Sequence, residues 1–116
     1  MTADAFWSDL QTEIKNDPEY ARIHLLDWVR ITTVDKIINE LDSRRARLGM
    51  NKSSLARAIH RDPAAVRRLL SDSAGNPTLE TVSAVAAALG MKLELVPMEK
   101  DELATVSRPL QDLATA

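Results

Sequence analysis

The chain has 116 residues, no cysteine, 28% charged residues and a formal net charge of −2 at pH 7. These values fit one small globular domain and exclude a large multi-domain enzyme. The lack of cysteine excludes disulfides and thiolate zinc sites, and the two histidines alone do not make a metal site. Because no long apolar run exists and Asp4 and Asp9 lie near the N-terminus, we expect no membrane span, no signal peptide and a cytoplasmic location.

The charges are segregated along the chain. Residues 1–42 carry a net charge of −5, residues 43–73 carry +6, and residues 74–116 carry −3. A basic stretch within an acidic protein indicates a surface that meets phosphate, and acidic flanks suit a basic partner. The alternative is a basic helical face that only contacts solvent.

The N-terminal segment predicts two short helices. Phe6, Leu10 and Ile14 recur every four residues, which indicates a helix over residues 2–15. Asp17 followed by Pro18 is typical of an N-cap and the first position of a second helix. We expect the apolar face of that second helix to contain Tyr20, Ile23, Leu26 and Val29.

Residues 28–34 are rich in β-branched side chains and are compatible with either an extended segment or the start of a helix. We favour a helix from about Thr33 to Leu48 that ends at Gly49 in the left-handed conformation. Its expected core positions are Val34, Ile37, Ile38, Leu41 and Leu48.

Three closely spaced helices are predicted after Gly49. Asn51 is the expected cap of a two-turn helix, which a turn at His60 and Arg61 separates from a helix that starts at Asp62-Pro63. After a polar loop, Thr78 is the expected cap of a further helix that Gly90 ends. The predicted core positions of the three helices are Leu55, Ala56 and Ile59; Val66, Leu69 and Leu70; and Leu79, Val82, Val85, Ala86 and Leu89.

A strand is predicted next, because apolar Met91, Leu93 and Leu95 alternate with charged residues until Pro97. A strand needs a hydrogen-bonding partner, so we expect these three residues to form an antiparallel ribbon between two copies of the chain. The alternative partner is the segment over residues 28–34. The acidic tail after Pro97 shows no periodicity and is expected to be flexible.

The sequences LGMNKSSLARAI at 48–59, GNPTLETV at 75–82 and AALG at 87–90 resemble the Xre/Cro-type helix-turn-helix family. This resemblance implies an all-α, λ-repressor-like helix-turn-helix bundle with the short C-terminal strand added. The wider arrangement, with NDPEY at 16–20 and KLEL at 92–95, is similar to HigA-type antitoxins of type II toxin-antitoxin modules. The expected organisation is an acidic helical segment at 1–32, a DNA-binding domain at 33–90, a dimerisation strand at 91–98 and a flexible tail at 99–116.

The resemblance implies that the helix opening at Pro63 enters the major groove of double-stranded DNA and that the preceding helix crosses the phosphate backbone. The residues expected to read bases are Arg67, Arg68 and Ala64. Free backbone amides at a helix N-terminus and arginine guanidinium groups both favour phosphate. The candidate phosphate contacts are Asn51, Lys52, Ser53, Arg57, Arg61, Arg44, Arg45 and Arg47.

The sequence departs from the family pattern in two places, the turn and the start of the recognition helix. The chain has His60 where the family usually has a glycine in the turn, and it has Pro63, Ala64 and Ala65 where the family usually has polar base-reading residues. Alanine offers only a contact to a thymine methyl group. We therefore expect DNA shape to supplement direct base reading.

The functional hypothesis is a homodimeric repressor that binds a palindromic operator and neutralises a basic RelE/HigB-like ribonuclease toxin. The aromatic residues that suit a toxin interface are Phe6, Trp7, Tyr20 and Trp28, and His24 is expected to lie in a core or an interface. No catalytic or cofactor-binding motif is recognisable, so neither an enzyme nor a cofactor is expected. The alternatives are a stand-alone or prophage regulator without a toxin, and a protein-interaction module with a degenerate helix-turn-helix.

Overall fold

A computed structural model describes Ser8, Thr12 and residues 15–71 and 76–115. Its helices are α1 (Pro18–Val29), α2 (Lys36–Arg47), α3 (Lys52–Ala58), α4 (Pro63–Ser71), α5 (Leu79–Ala88), α6 (Lys100–Glu102) and α7 (Arg108–Leu113). Two π-helical segments, Arg30–Asp35 and Leu103–Ser107, precede α2 and α7. The chain divides into a central unit, Thr33–Leu95, and a terminal unit that combines Met1–Thr32 with Val96–Ala116. Within the described ranges, no helix has the length and apolar character needed to cross a membrane.

The predicted N-caps of three helices are confirmed. The Asn51 side chain accepts a hydrogen bond from the Ser54 amide at 2.8 Å, and the Thr78 hydroxyl accepts one from the Thr81 amide at 3.1 Å. At the start of α1, Asp17 accepts from the Tyr20 amide at 3.2 Å. Each bond satisfies an amide that has no partner inside its helix, which is worth about 1 kcal/mol.

Helices α2 and α5 end in the same way, at the two glycines that we predicted as helix ends. Gly49 and Gly90 have φ angles of 70° and 77°, in the left-handed region. The Met50 amide donates to the Arg45 carbonyl at 3.2 Å, and the Met91 amide donates to the Ala86 carbonyl at 2.8 Å. This is the Schellman arrangement, in which a left-handed residue reverses the chain and satisfies the last carbonyls of the helix.

The core of the central unit joins α2, α3, α4 and α5. Its buried cluster consists of Leu41, Leu55, Ala56, Val66, Leu70, Val82, Val85, Ala86 and Leu89. All of these positions were predicted from helical periodicity. Two other predicted core residues were wrong: Leu48 is 50% exposed and Leu79 is 74% exposed. Both lie at helix ends, where the chain enters or leaves the packed layer.

The terminal unit has a smaller core that the sequence analysis did not identify. Ala21 and Leu25 of α1 are fully buried against Leu113 of α7. The predicted apolar face of α1 was therefore wrong, since Tyr20, Ile23 and Leu26 are 46%, 58% and 50% exposed. The physical reason is that α1 packs on α7 through Ala21 and Leu25, which lie four residues apart on one face of the helix.

The C-terminal tail differs from the flexible segment that we predicted, because it folds into α6, a π-helical segment and α7. Val106, Pro109 and Leu113 are buried there. At the start of α6 the Glu102 side chain accepts a hydrogen bond from the Glu99 amide at 3.2 Å, as part of a capping box. The periodicity of this segment was hidden by its short helices and by the π-helical turn between them.

The predicted strand over residues 91–96 is not seen, because residues 91–99 lie outside any helix or strand. The alternative partner segment, residues 28–34, is helical: it forms the end of α1 and most of the segment Arg30–Asp35. A strand requires a paired neighbour, and the described part of the chain contains no other extended segment that could supply one.

Candidate nucleic-acid interface

Helices α3 and α4 form a helix-turn-helix around a shared set of buried side chains. Leu55 and Ala56 of α3 lie in one cluster with Val66 and Leu70 of α4. Because these four side chains are at most 5% exposed, the two helices have a fixed relation to each other. This packing decides which side of α4 remains available to a ligand.

The turn between α3 and α4 places a histidine in the left-handed conformation. His60 has a φ of 56°, its amide donates to the Arg57 carbonyl at 3.2 Å, and the Arg61 amide donates to the Ala56 carbonyl at 2.9 Å. The second bond corresponds to those of the Met50 and Met91 amides at the ends of α2 and α5, so His60 occupies the position that glycine occupies in the other two turns. The chain thus keeps the left-handed turn at the position where the family usually has a glycine.

The exposed side of α4 carries two arginines. Arg67 and Arg68 are exposed, whereas Val66 and Leu70 are buried. Helical spacing places Arg68 on one line with half-buried Ala64, opposite the buried face, and Arg67 on the flank of that line. Both guanidinium groups are therefore available at the surface, and Arg68 points most directly away from the core.

The residues at the start of α3 combine a structural role with accessibility. Asn51 is exposed while its side chain caps the helix, and Lys52 and Ser53 are half-buried. Arg57, at the end of α3, is exposed and donates from Nη2 to the Ser54 hydroxyl at 3.1 Å. These side chains lie on the helix that the resemblance places across the phosphate backbone.

Arg61 lies in the turn and contacts α5. Its Nη2 atom lies 3.2 Å from the Glu80 Oε1 atom, and the two side chains are 41% and 85% exposed. Arg61 also lines a shallow depression with Arg57, His60 and Pro63. The structure thus brings Arg57 and Arg61 together beside the start of α4.

The three arginines at the end of α2 differ from one another in their contacts. Arg44 Nε donates to the Leu89 carbonyl at 3.3 Å. Arg45 Nε donates to Asp42 Oδ1 at 2.9 Å, and its Nη1 donates to the Met50 carbonyl at 2.9 Å. Arg44 and Arg45 therefore stabilise the ends of α5 and α2, whereas Arg47 is exposed. The i, i+3 spacing of Asp42 and Arg45 is the sequence signal that indicates the contact between these two side chains.

The candidates for protein contacts belong to the terminal unit. Phe6 and Trp7 lie outside the described residues. Tyr20 is 46% exposed with its ring centroid 4.2 Å from that of His24, and Trp28 is 37% exposed. We predicted Ile23 and Leu26 to lie on the apolar face of α1, yet both are exposed, as is Tyr20 on the same helix.

The three residues predicted to form a dimerisation strand have different environments. Met91 is half-buried and packs against the central core, whereas Leu93 and Leu95 are 38% and 100% exposed. Val96, which follows them, is 74% exposed. The structure therefore exposes three apolar side chains on either side of Glu94 in residues 93–96, while Met91 anchors the start of this segment.

Comparison with known proteins finds one match in the central region. Residues 40–94 match the family model described as a Cro/C1-type HTH DNA-binding domain. Neither the comparison with curated proteins nor the comparison with solved structures finds a match to this chain. The family match confirms the helix-turn-helix part of the resemblance, and the similarity to HigA-type antitoxins stays a prediction.

Proposed function

We propose that this chain, in which residues 40–94 form a Cro/C1-type HTH DNA-binding domain, is a sequence-specific transcriptional repressor that acts as the antitoxin of a toxin-antitoxin module. The observation that carries the DNA-binding part is the surface of α4. Its buried face fixes the helix in the domain, and its outer face presents Arg67 and Arg68 to solvent. An arginine on such a helix can make a bidentate pair with guanine in the major groove.

We assign the base contacts to Arg67 and Arg68, with Ala64 facing a thymine methyl group. A good bidentate pair is worth about 1–3 kcal/mol of discrimination against the wrong base. The phosphate contacts that we propose are Asn51, Lys52, Ser53, Arg57, Arg61 and Arg47. Arg44 and Arg45 are left out of this set because their donors are directed at backbone carbonyls of the domain.

The dimer remains part of the proposal. Leu93, Leu95 and Val96 are exposed, and a second copy of the chain would cover them in this run of residues 93–96. Pairing of this run with its counterpart in an antiparallel ribbon would also satisfy its backbone groups. A two-fold dimer would present two α4 helices to a palindromic operator. Light scattering of the purified protein tests this step, and a monomeric mass at micromolar concentration would contradict it.

The antitoxin part rests on the terminal unit and on the resemblance. Residues 1–42 carry a net charge of −5, and α1 exposes Tyr20, Ile23 and Leu26. An acidic surface with exposed apolar side chains suits a basic protein partner, such as a RelE/HigB-like ribonuclease. The candidate contacts are Phe6, Trp7, Tyr20 and Trp28. The alternative is a stand-alone regulator without a toxin. A neighbouring reading frame for a short basic protein would favour the antitoxin, and its absence would favour the stand-alone regulator.

The first experiment measures binding to duplex DNA from upstream of the gene by fluorescence anisotropy across a salt series. Scrambled DNA of the same length is the control for specificity, and variants Arg67→Ala and Arg68→Ala test the two proposed base contacts. We expect tight, salt-dependent binding to the upstream DNA that each variant weakens by about tenfold, while binding to scrambled DNA changes less. Equal binding of the wild type to both DNAs would contradict a sequence-specific repressor.

The second experiment tests the antitoxin role by co-expression with the neighbouring basic protein. We expect the full chain to restore growth and a variant lacking residues 1–30 to fail. A matched full-length variant, Tyr20→Ala with Ile23→Ala, tests the exposed face of α1 without removing the helix. Full neutralisation by the shortened variant would exclude the N-terminal segment as the toxin-binding region.

A further inference from the structure

We infer that Glu80 competes with DNA phosphate for Arg61 and thereby lowers the affinity of the domain for DNA. This inference rests on the proposed DNA-binding function and adds to it a residue that limits affinity. The ion pair joins two elements of the central unit, since Arg61 lies in the turn after α3 and Glu80 lies in the first turn of α5. No family match or sequence pattern assigns this role to Glu80.

The backbone on both sides of the ion pair is fixed. The Arg61 amide donates to the Ala56 carbonyl at 2.9 Å in the turn that ends α3. Helix α5 begins one residue before Glu80. Its cap, Thr78, accepts a hydrogen bond from the Thr81 amide at 3.1 Å. The 3.2 Å separation of Nη2 and Oε1 therefore follows from the fold and from the reach of the two side chains.

The location of Arg61 relates the ion pair to the proposed interface. Arg61 lines the same depression as Arg57 and Pro63, the first residue of α4. Among the arginines that we assign to DNA, Arg61 forms an ion pair with a carboxylate in the described part of the chain, whereas Arg57 bonds to the Ser54 hydroxyl. A phosphate that approaches Arg61 thus meets a guanidinium group that is already partly neutralised.

The exposure of the pair makes the competition reversible. Because the Glu80 side chain is 85% exposed, water screens its attraction for Arg61 and the pair is weak. A DNA phosphate can therefore displace Glu80 from Arg61, and the cost of breaking the ion pair is subtracted from the binding free energy. The predicted consequence is a lower affinity for DNA of any sequence, since phosphate contacts carry no sequence information.

The substitution that tests the inference is Glu80→Gln, which removes the charge and keeps the shape. In the full-length protein we expect about three- to fivefold tighter binding to upstream and scrambled DNA alike at about 100 mM salt. The slope of log K against log salt should become more negative by up to about 0.9, the value for one added phosphate contact. Glu40→Gln is the matched control, since exposed Glu40 lies on α2 and no ion pair involves it within the described ranges.

A double-mutant cycle determines whether Glu80 acts through Arg61. We expect Arg61→Ala to weaken binding and Glu80→Gln to have no effect in the Arg61→Ala background. The inference is overturned if Glu80→Gln leaves affinity and salt slope at the wild-type values, if Glu40→Gln has the same effect, or if the gain persists without Arg61. Failure of the wild type to prefer upstream over scrambled DNA would instead contradict the proposed function, because the charge effect is measurable on either DNA.

Discussion

The central and terminal units begin their helices in the same way but hold them with very different cores. In the central unit, four helices share a continuous buried cluster that includes Leu55 and Val85, both 0% exposed. In the terminal unit, the corresponding cluster joins Ala21, Leu25 and Leu113. Both units have a side-chain-capped helix, so caps do not explain the difference. The comparison shows that local signals start a helix, whereas the amount of buried apolar surface decides how firmly it is held.

The two units also differ in net charge and in the apolar surface they expose. By sequence, residues 33–95 carry a net charge of +3, whereas residues 1–32 and 96–116 together carry −5. The terminal unit exposes Tyr20, Ile23 and Leu26 on one helix. This difference in charge and exposed apolar surface is expected if one unit binds DNA and the other binds a protein. The following predictions test that comparison.

The largest expected effect is on the central core. Leu55→Ala should lower the free energy of unfolding of the central unit by about 3–5 kcal/mol, because it leaves a cavity among four packed helices. Urea unfolding followed by circular dichroism measures the change. Leu79→Ala is the matched control, since Leu79 is 74% exposed, and it should change stability by less than about 1 kcal/mol. Equal effects of the two substitutions would contradict the buried cluster.

A smaller and local effect is expected in the terminal unit. Leu25→Ala should destabilise the packing of α1 on α7 by about 2–3 kcal/mol, because the Leu25 side chain is fully buried there. Amide hydrogen exchange should become faster in α1 and α7 while α3 and α4 stay protected. Leu26→Ala is the control, since the Leu26 side chain, next to Leu25 in the sequence, is 50% exposed. Uniformly faster exchange in both units would show that they unfold together.

The loss of one helix cap should have an intermediate effect. Thr78→Ala removes the hydroxyl that accepts from the Thr81 amide, and we expect a loss of about 1 kcal/mol. Thr78→Ser keeps the hydroxyl and should retain most of the stability. The measurement is the thermal midpoint of unfolding of the three proteins. A serine variant as unstable as the alanine variant would assign the effect to the methyl group rather than to the cap.

The smallest effect, and a stabilising one, is expected at His60. Its φ of 56° is unfavourable for a residue with a Cβ atom, so His60→Gly should raise the free energy of unfolding by about 0.5–1 kcal/mol after the greater flexibility of unfolded glycine is subtracted. His60→Ala keeps the Cβ atom and should give no gain. Thermal unfolding compares the variants. A glycine variant less stable than the wild type would mean that the His60 side chain makes a net stabilising contribution.

The sequence predicted the central unit well because its signals are local or periodic. The caps Asn51 and Thr78 bond to amides three residues away, and Gly49 and Gly90 act within their own turns. The exposure of Arg67 and Arg68 follows from the spacing of buried Val66 and Leu70 in a single helix. These features depend on residues within about one helical turn, so they could be read without knowledge of the rest of the fold.

The candidate site was less predictable where contacts join distant residues. Arg44 bonds to the Leu89 carbonyl and Arg61 pairs with Glu80, across 45 and 19 positions of sequence. Composition makes all of these arginines look equivalent. Only the packing of the elements against α5 distinguishes them: it places Arg44 at the end of α5 and leaves Arg61 beside the proposed DNA surface.

The amino-acid sequence by itself determined the helices of the central unit, the caps Asn51 and Thr78, the glycines Gly49 and Gly90 that end two of the helices, and the basic character of the region that α4 exposes. The tertiary structure decided which face of α1 is buried, the helical state of the tail, and the separation of structural from exposed arginines. It also showed that residues 91–96 have no strand partner within the described part of the chain. The physical reason is that caps and turns are formed by neighbours in sequence, whereas burial and strand pairing require a second segment whose position depends on the whole fold.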